Sequence, residues 1–577
     1  MRLIEYIVSA KLSFHQRMLE ERGPLIFASL CLGKDSQLIN FTNVFNFKMT
    51  ITTDFFRLLR LNYQYTSQTW LRFGFFRSAI FGTATLVVLV LSIGPASAET
   101  PSAPPSSAPT QLSEEQIEQI ILDGDRLVDQ KQFQAGVEKY TEAYMSVVAN
   151  LRGQPFKTKV VPKLMNREEL AKEMTEQFKT ELTPEELKLM EATYKALGLA
   201  PDSLDLEKTM IKLYTEEVGG FYDPRTKAMV LIHDVPKAGD SAKKKGIFDW
   251  FSETENSFDK EEQKTTLAHE LTHALQDQHH DLETQTDLVS GDDDMMLAYS
   301  SLVEGDATLV MFVDMGREEG NSDELLQMDP QIAEAMFGMM KMTLPIASGN
   351  TYRTAPKIFR ESLLFPYMNG MAFTMNLTRR DRFREVDRAF LSPPVSTEQI
   401  LHPKKYLFQP DEPVAVTIPG AETLLGSEWS HLGGNCLGEF QTTILLDDVD
   451  LERVAATGWD GDRYEVYQSA DNNLALVWAS VWDSNTDAEE FASTYQKYVA
   501  RKIRQLAETQ RSEDQPVAES LTENRWNIDV NQTNDRVVIV QGIDSSQAAI
   551  VMEKVIPFTT QTKVFPFKIA SEQKTKE

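Results

Sequence analysis

The segment TTLAHELTHALQDQHHDL, residues 265–282, constrains the fold more than any other part of the chain. Its apolar residues recur at helical spacing and form one stripe, made of Leu267, Ala268, Leu271, Ala274 and Leu275. His269 and His273 are four residues apart, so their rings project from one helix face, one turn apart. Two such imidazoles can bind one metal ion, and Glu270 beside the first can reach a water on that ion without being a ligand.

A second amphipathic helix is predicted over residues 297–311, and Glu304 lies in its middle among apolar neighbours. Burying a lone carboxylate is costly, and metal ligation is one of the few interactions that offset the cost. Gly305 and Ala307 are small, which predicts that this helix approaches the first one closely. In the alternative interpretation, Glu304 is an exposed helix residue beside Asp306.

HELTH followed by EGDAT resembles the gluzincin-type zinc metallopeptidases, in which two histidines of an HExxH helix and a glutamate from a later helix bind zinc. The resemblance covers about residues 215–310. It implies that His269, His273 and Glu304 bind Zn²⁺ in a zincin-like fold and that Glu270 is the general base. The 30 residues between His273 and Glu304 exceed the gap of thermolysin-like enzymes, which leaves the subfamily open.

Three protein ligands leave one position on zinc for water, from which Glu270 would take a proton and pass it to the leaving amine. The oxyanion beside the metal needs a further donor. His402 is the first candidate, because its His-Pro segment resembles the transition-state histidine segment of some membrane-linked gluzincins. Tyr367 and Tyr406 are alternatives, and His402 could instead close a turn before Pro403.

Composition limits the partners and the kinds of metal site. Residues 1–98 carry 10 Lys and Arg against 5 Asp and Glu, so the rest of the chain carries 48 against 81 and is strongly acidic. This charge argues against nucleic acid and anionic membrane surfaces, and a protein or peptide substrate is expected. Two cysteines, Cys31 and Cys436, exclude a disulfide framework and a cysteine-rich metal site.

The N-terminal region predicts export. An apolar run over residues 79–93 follows two arginines and precedes Ala96-Ser97-Ala98, the layout of a cleavable signal peptide in a leader spanning 1–98. Residues 1–70 are too long for its start, and a mis-assigned start codon would explain them. We expect a periplasmic or secreted protein; the alternative is a membrane anchor formed by residues 79–96.

The rest of the chain predicts an α+β fold in four parts. A Pro- and Ser-rich linker over 99–111 leads to a helical region over 112–200 that begins with a helical hairpin. Capping boxes mark its helix starts at Ser113 with Gln116, Asn166 with Glu169, and Thr183 with Glu186. Residues 201–415 form the mostly helical metallopeptidase-like domain, and residues 416–577 form a separate α+β domain.

A β-hairpin is predicted over residues 219–233, with the strand at 228–233 upstream of the HELTH helix, where an edge strand could hold extended peptide. A polar loop should follow over residues 234–262.

A function of another class also fits the sequence, a non-catalytic exported scaffold with structural or absent metal. It would bind a protein partner through the helical region or the C-terminal domain, for example at GWDGDRYEVY, residues 458–467. A closed structural site has no need of Glu270, which favours the enzyme.

Overall fold

The computed structural model describes residues 109–217, 219–233, 258–317, 319–347, 350–451, 453–512 and 524–563. The predicted leader, linker residues 99–108 and most of the predicted loop, residues 234–257, lie outside the described residues. Within the described ranges the fold is mixed α+β and mostly helical, as expected.

The helices of the first part of the chain are α1 (Glu114–Asp129), α2 (Phe133–Arg152), α3 (Arg167–Glu181), α4 (Pro184–Ala196), α5 (Leu206–Glu217), α6 (Lys260–His280), α7 (Leu282–Val289), α8 (Asp293–Met315), α9 (Ser322–Leu326) and α10 (Pro330–Ala347). The later helices are α11 (Asn350–Thr354), α12 (Lys357–Asp381), α13 (Phe383–Leu391), α14 (Thr397–Leu401), α15 (Lys404–Leu407), α16 (Gly438–Leu446), α17 (Asn485–Ser512) and α18 (Ser545–Val555).

The strands are β1 (Pro162–Met165), β2 (Gly220–Asp223), β3 (Ala228–Ile232), β4 (Val414–Thr417), β5 (Trp429–Asn435), β6 (Trp459–Ser469), β7 (Leu474–Trp482), β8 (Ile528–Thr533), β9 (Arg536–Gln541) and β10 (Thr559–Thr562). They form three sheets, with strand orders β1-β3-β2, β10-β4 and β5-β6-β7-β9-β8.

The three predicted capping boxes are confirmed at the starts of α1, α3 and α4. In each, the side chain of Ser113, Asn166 or Thr183 accepts from a main-chain N–H three residues on, and the Gln or Glu there accepts from the capping residue in return. The helical hairpin is also confirmed, with α1 and α2 separated at residues 130–132.

The predicted β-hairpin is confirmed as β2 and β3, paired antiparallel with Tyr222 opposite Met229. The position of its second strand was predicted wrongly. β1 pairs parallel with β3, so β3 is the central strand and β2 is an edge of this sheet. β1 has four residues, PKLM, which are too few to display the alternation that identifies a strand.

The closest helix contact of the core joins α8 to α12. A Cβ added to Gly305 would lie 2.2 Å from the main chain of Gly370, and one added to Gly370 would lie 2.1 Å from the main-chain oxygen of Ser301. The prediction that Gly305 allows the close approach of the HELTH helix is therefore wrong. The helix that packs against Gly305 is α12. Sequence spacing reveals a small residue but does not identify the helix that packs on it.

The central strand β7 of the five-stranded sheet is buried on both faces. Leu476, Trp478 and Trp482 belong to one apolar cluster, whereas Ala475, Val477, Ala479 and Val481 belong to another on the opposite face. Successive residues of a strand point to opposite faces, so burial on both sides explains why LALVWASVW is a continuous apolar run.

Helix α4 packs on this sheet although it lies in the predicted N-terminal helical region. Ala192, Ala196 and Leu197 belong to the same apolar cluster as Trp478. The Gln541 amide donates to the main-chain oxygen of Ala196 at 2.8 Å. The boundary at residue 416 stays a prediction, and these contacts show that an element from before it completes the sheet's core.

We predict that Gly370→Ala lowers the free energy of unfolding by about 2–3 kcal/mol, because the added Cβ overlaps the main chain of α8. Gly338→Ala is the matched control. Nothing lies within 4 Å of a Cβ at Gly338 in α10, so this variant should be neutral or gain about 0.5–1 kcal/mol. Urea midpoints followed by circular dichroism compare them, and equal midpoints for both variants would contradict the predicted contact.

Candidate metal centre

The candidate metal-binding side chains of helix α6 lie on a buried surface. The Asp259 side chain caps the helix by accepting from the N–H groups of Glu261 and Glu262. Every residue from Thr266 to Asp277 is buried, including His269 and Glu270, each 1% exposed. Buried polar side chains require partners, so this face of α6 must meet complementary groups.

Helix α8 supplies a carboxylate to that face. Asp292 caps α8 through the N–H of Met295, and Glu304 lies midway along the helix, 5% exposed. α8 is long and apolar enough to cross a membrane by composition, but 83% of its apolar window is buried inside the protein, as in a core helix. The alternative of an exposed Glu304 is wrong, since Glu304 and Asp306 are both buried.

Three side chains converge on one point. Nε2 of His269 lies 2.9 Å from Nε2 of His273 and 3.1 Å from Oε2 of Glu304, and His273 Nε2 lies 3.3 Å from the same oxygen. Ligands at zinc–ligand distances of 2.0–2.1 Å around a tetrahedral ion would lie about 3.3 Å apart. The donor set and its spacing therefore fit a zinc ion, which requires small outward shifts.

Opposite charges on His273 and Glu304 balance within the triad. Burial raises the pKa of Glu304, but the neighbouring imidazoles outweigh burial and lower the pKa to about 2. Burial lowers the pKa of His269 to about 4. Burial also lowers the pKa of His273, but the Glu304 carboxylate outweighs it and raises the pKa to about 9. His273 thus carries the positive charge that balances Glu304, and a bound cation would take over that role.

Glu270 lies beside the triad without a hydrogen-bond partner. Among the described residues, neither carboxylate oxygen of Glu270 has a partner, and both are buried. Burial raises the pKa of Glu270 to about 8, while the His273 charge opposes the rise and the Glu304 charge supports it. A carboxylate of this kind can take a proton near neutral pH.

A cavity of about 50 Å³ adjoins these residues and has room for water. Its walls comprise Tyr222, Pro224, Glu270, His273, Leu282, Thr286, Tyr299, Ser300, Val303 and Glu304. The Tyr222 hydroxyl of β2 donates to Asp277 of α6 at 2.7 Å, and Lys227 pairs with the same carboxylate at 3.0 Å. These two contacts hold β2 against α6 beside the cavity. Sequence reasoning missed Tyr222, since nothing in its local pattern points to the cavity.

Of the three predicted oxyanion donors, Tyr367 lies at the triad. Its ring centre is 6.0 Å from that of His269. Burial raises the pKa of Tyr367 well above its ordinary value, and the negative charges of Glu304 and Glu270 raise it further. Tyr367 is therefore a neutral phenol, able to donate a hydrogen bond. Tyr406 lies elsewhere, where its hydroxyl donates to the main-chain oxygen of Ser392 at 2.7 Å.

His402 does not line the cavity. It ends α14, and its Nε2 lies 2.8 Å from Oε1 of Glu439. α14 contacts α8 through Thr397 and Asp294, and Asp294 lies ten residues from Glu304, about 15 Å along a helix of 1.5 Å rise. The structure thus gives His402 a hydrogen-bond partner and does not bring it to the triad.

The two histidines at the end of α6 lie outside the triad. His279 forms a hydrogen bond with the main-chain oxygen of Pro155 at 2.9 Å, and His280 stacks on Phe390.

A second acidic cluster surrounds a lysine. Nζ of Lys405 lies 2.6–2.8 Å from carboxylate oxygens of Glu398, Asp411 and Asp483. The lysine ammonium fills the centre of this cluster and donates to all three carboxyl groups.

Comparison with known proteins gives a match to part of the region that contains the five-stranded sheet. A family model described as a domain of unknown function (DUF8575) matches residues 428–552, which run from the start of β5 into α18. No curated protein and no solved structure matches the chain. The matched residues exclude the triad, so the match says nothing of its chemistry.

We predict that the purified chain binds about one zinc ion and that Glu304→Ala binds much less, because two imidazoles are a weaker site than three ligands. Metal analysis after gel filtration measures the ratio. Asp411→Asn is the control, because it removes a carboxylate from the separate cluster around Lys405 and leaves the triad intact. Equal zinc content in wild type and Glu304→Ala would remove Glu304 from the site.

Proposed function

We propose that the chain is an exported zinc-dependent metallopeptidase, a hydrolase with a zincin-like core. The observation that carries this proposal is the convergence of His269, His273 and Glu304 within 4.8 Å, with the unpartnered carboxylate of Glu270 beside them. A purely structural site would have no use for a buried base held next to the metal ligands.

Zinc, when bound, supplies a Lewis acid that makes water nucleophilic near neutral pH and polarises a peptide carbonyl. Glu270 acts as the general base that takes the proton of the attacking water. Its raised pKa suits it to hold that proton and then donate it to the leaving amine. Because Glu270 is buried, bulk water does not compete with the substrate for proton exchange with its carboxylate.

Tyr367 is the donor that we propose for the developing oxyanion. It is neutral because burial and two nearby carboxylates disfavour the phenolate. A neutral phenol can donate a hydrogen bond to an oxygen that gains negative charge, and such a donor contributes more when water is excluded. His402, paired with Glu439, remains a sequence-based prediction that the observed contacts do not favour.

A protein or peptide substrate is the class that this chemistry suits. β2 is an edge strand whose Tyr222 lines the cavity, so main-chain hydrogen bonds along it are one way to hold an extended peptide. Export rests on the leader, residues 1–98, and an anchor formed by residues 79–96 remains the alternative.

We predict that Glu270→Gln lowers kcat for peptide hydrolysis at least 10²-fold while zinc content stays at the wild-type value, because the amide cannot take a proton. A quenched fluorescent peptide library measures cleavage, and metal analysis checks the site. Glu261→Gln, at the exposed start of the same helix, is the control. Retained hydrolysis in Glu270→Gln would exclude Glu270 as the base. A zinc-loaded wild type that cleaves no peptide would favour the scaffold alternative.

Two variants decide between the oxyanion donors. We predict that Tyr367→Phe lowers kcat about 10²-fold with little change in KM, because it removes a bond made chiefly in the transition state. His402→Ala should change kcat less than about threefold, since His402 contacts Glu439, whereas the ring of Tyr367 lies 6.0 Å from that of His269. The opposite ranking in steady-state kinetics would restore His402 as the donor.

A further inference from the structure

The contacts behind His273 connect the metal centre to the N-terminal helical hairpin. We propose that Gln276, Asp306 and Arg152 are positioning residues that fix the orientation and tautomer of His273, so that α2 is part of the zinc centre. This inference rests on the proposed zinc site. It goes further by giving the helical hairpin a role in metal binding.

Gln276 is the first link. Its Oε1 lies 2.9 Å from Nδ1 of His273, and its Nε2 donates to Asp306 at 2.8 Å and to the main-chain oxygen of Val303 at 3.0 Å. A carboxylate and a carbonyl only accept, so the amide nitrogen must face them and the amide oxygen must face His273. Nδ1 of His273 therefore carries a hydrogen whether or not the ring is charged, so Nε2 is the nitrogen that would lose its proton and bind a metal.

Asp306 and Arg152 are the next links. The side chains of Arg152 and Asp306 are 1% and 0% exposed, and their closest atoms are 3.1 Å apart. Arg152 also pairs with Asp387 of α13 at 2.7 Å, and its guanidinium lies 4.8 Å from the ring centre of Phe383. A buried carboxylate needs a counter-charge, and Arg152 is the one that this packing supplies to Asp306.

These links join four helices, because Arg152 ends α2, Gln276 lies on α6, Asp306 on α8 and Asp387 on α13. His269 contrasts with His273, since its Nδ1 has no hydrogen-bond partner among the described residues. Of the two imidazole ligands, His273 is thus the one whose orientation is controlled by a chain of side chains. Losing any link should therefore lower the affinity for zinc.

The test measures zinc affinity of the full chain by competition with a chromogenic chelator, using zinc alone as the probe. Gln276→Met keeps the side-chain volume but cannot accept from His273, so we expect its Kd for zinc to rise about 10–100-fold. Arg152→Met should give a rise of the same order, because Asp306 is left buried without its counter-charge. Lys139→Met, on the exposed surface of α2, is the control and should bind like wild type.

A double variant separates positioning from simple packing. Asp306→Asn keeps an acceptor for Gln276 and removes the charge, so Arg152→Met combined with Asp306→Asn should recover most of the zinc affinity lost in Arg152→Met. A role of Arg152 in packing α2 against α13 predicts no such recovery. Melting temperatures of the zinc-free variants check that each one folds, and if Gln276→Met does not fold, the Arg152 pair decides.

The outcomes distinguish this inference from the proposed function. If wild type binds zinc and the Gln276 and Arg152 variants bind equally well, the inference is overturned while the zinc centre stands. If Arg152→Met is weakened and the double variant is not restored, Arg152 is structural and the inference is again overturned. A wild-type chain that binds no zinc overturns both proposals.

Discussion

A carboxylate in the middle of an apolar helix needs a positively charged partner. The packing of the helical core brings such a partner to Glu304. α8 is buried along most of its length, so the partner cannot be solvent. α6 brings two imidazoles to within 3.3 Å of the carboxylate. α12 closes the opposite side through Gly370 and places Tyr367 over His269. Burial raises the pKa of Glu270, whereas the attraction between His273 and Glu304 outweighs burial, raising the pKa of His273 and lowering that of Glu304.

Helix α8 is also held at its N-terminus by residues from the later part of the chain. The carboxylate of Asp292 pairs with Lys563, that of Asp293 accepts from the Asn435 amide, and that of Asp294 accepts from Thr397. Acidic side chains in a first helical turn interact favourably with the helix dipole. Here these carboxylates also connect the helix that carries Glu304 to α14, to β5 and to the residues that follow β10.

The sequence predicts what is local and periodic. The capping boxes, the helical hairpin and the β2–β3 hairpin follow from spacing, and so does the position of His269 and His273 on one face of α6. Glu304 is recognisable because an acidic residue amid apolar neighbours is costly. Contacts between distant segments escape local patterns. The pairing of β1 with β3, the contact of Gly305 with Gly370 and the hydrogen bond between His402 and Glu439 depend on tertiary packing. Gln276 could have been found, since it is three residues after His273 on the same helix face.

The packing of α4 on the C-terminal sheet has a consequence for the order in which the chain folds. The bond from Gln541 to Ala196 spans 345 residues, and that from Tyr498 to Leu197 spans 301. During synthesis, the apolar face of α4 therefore stays uncovered until nearly the whole chain has been made. Contacts of such long range form slowly, and the uncovered face is a site for chaperone binding or aggregation in the meantime. In the exported protein that we propose, the same delay would keep the sheet's core open until its last strands have crossed the membrane.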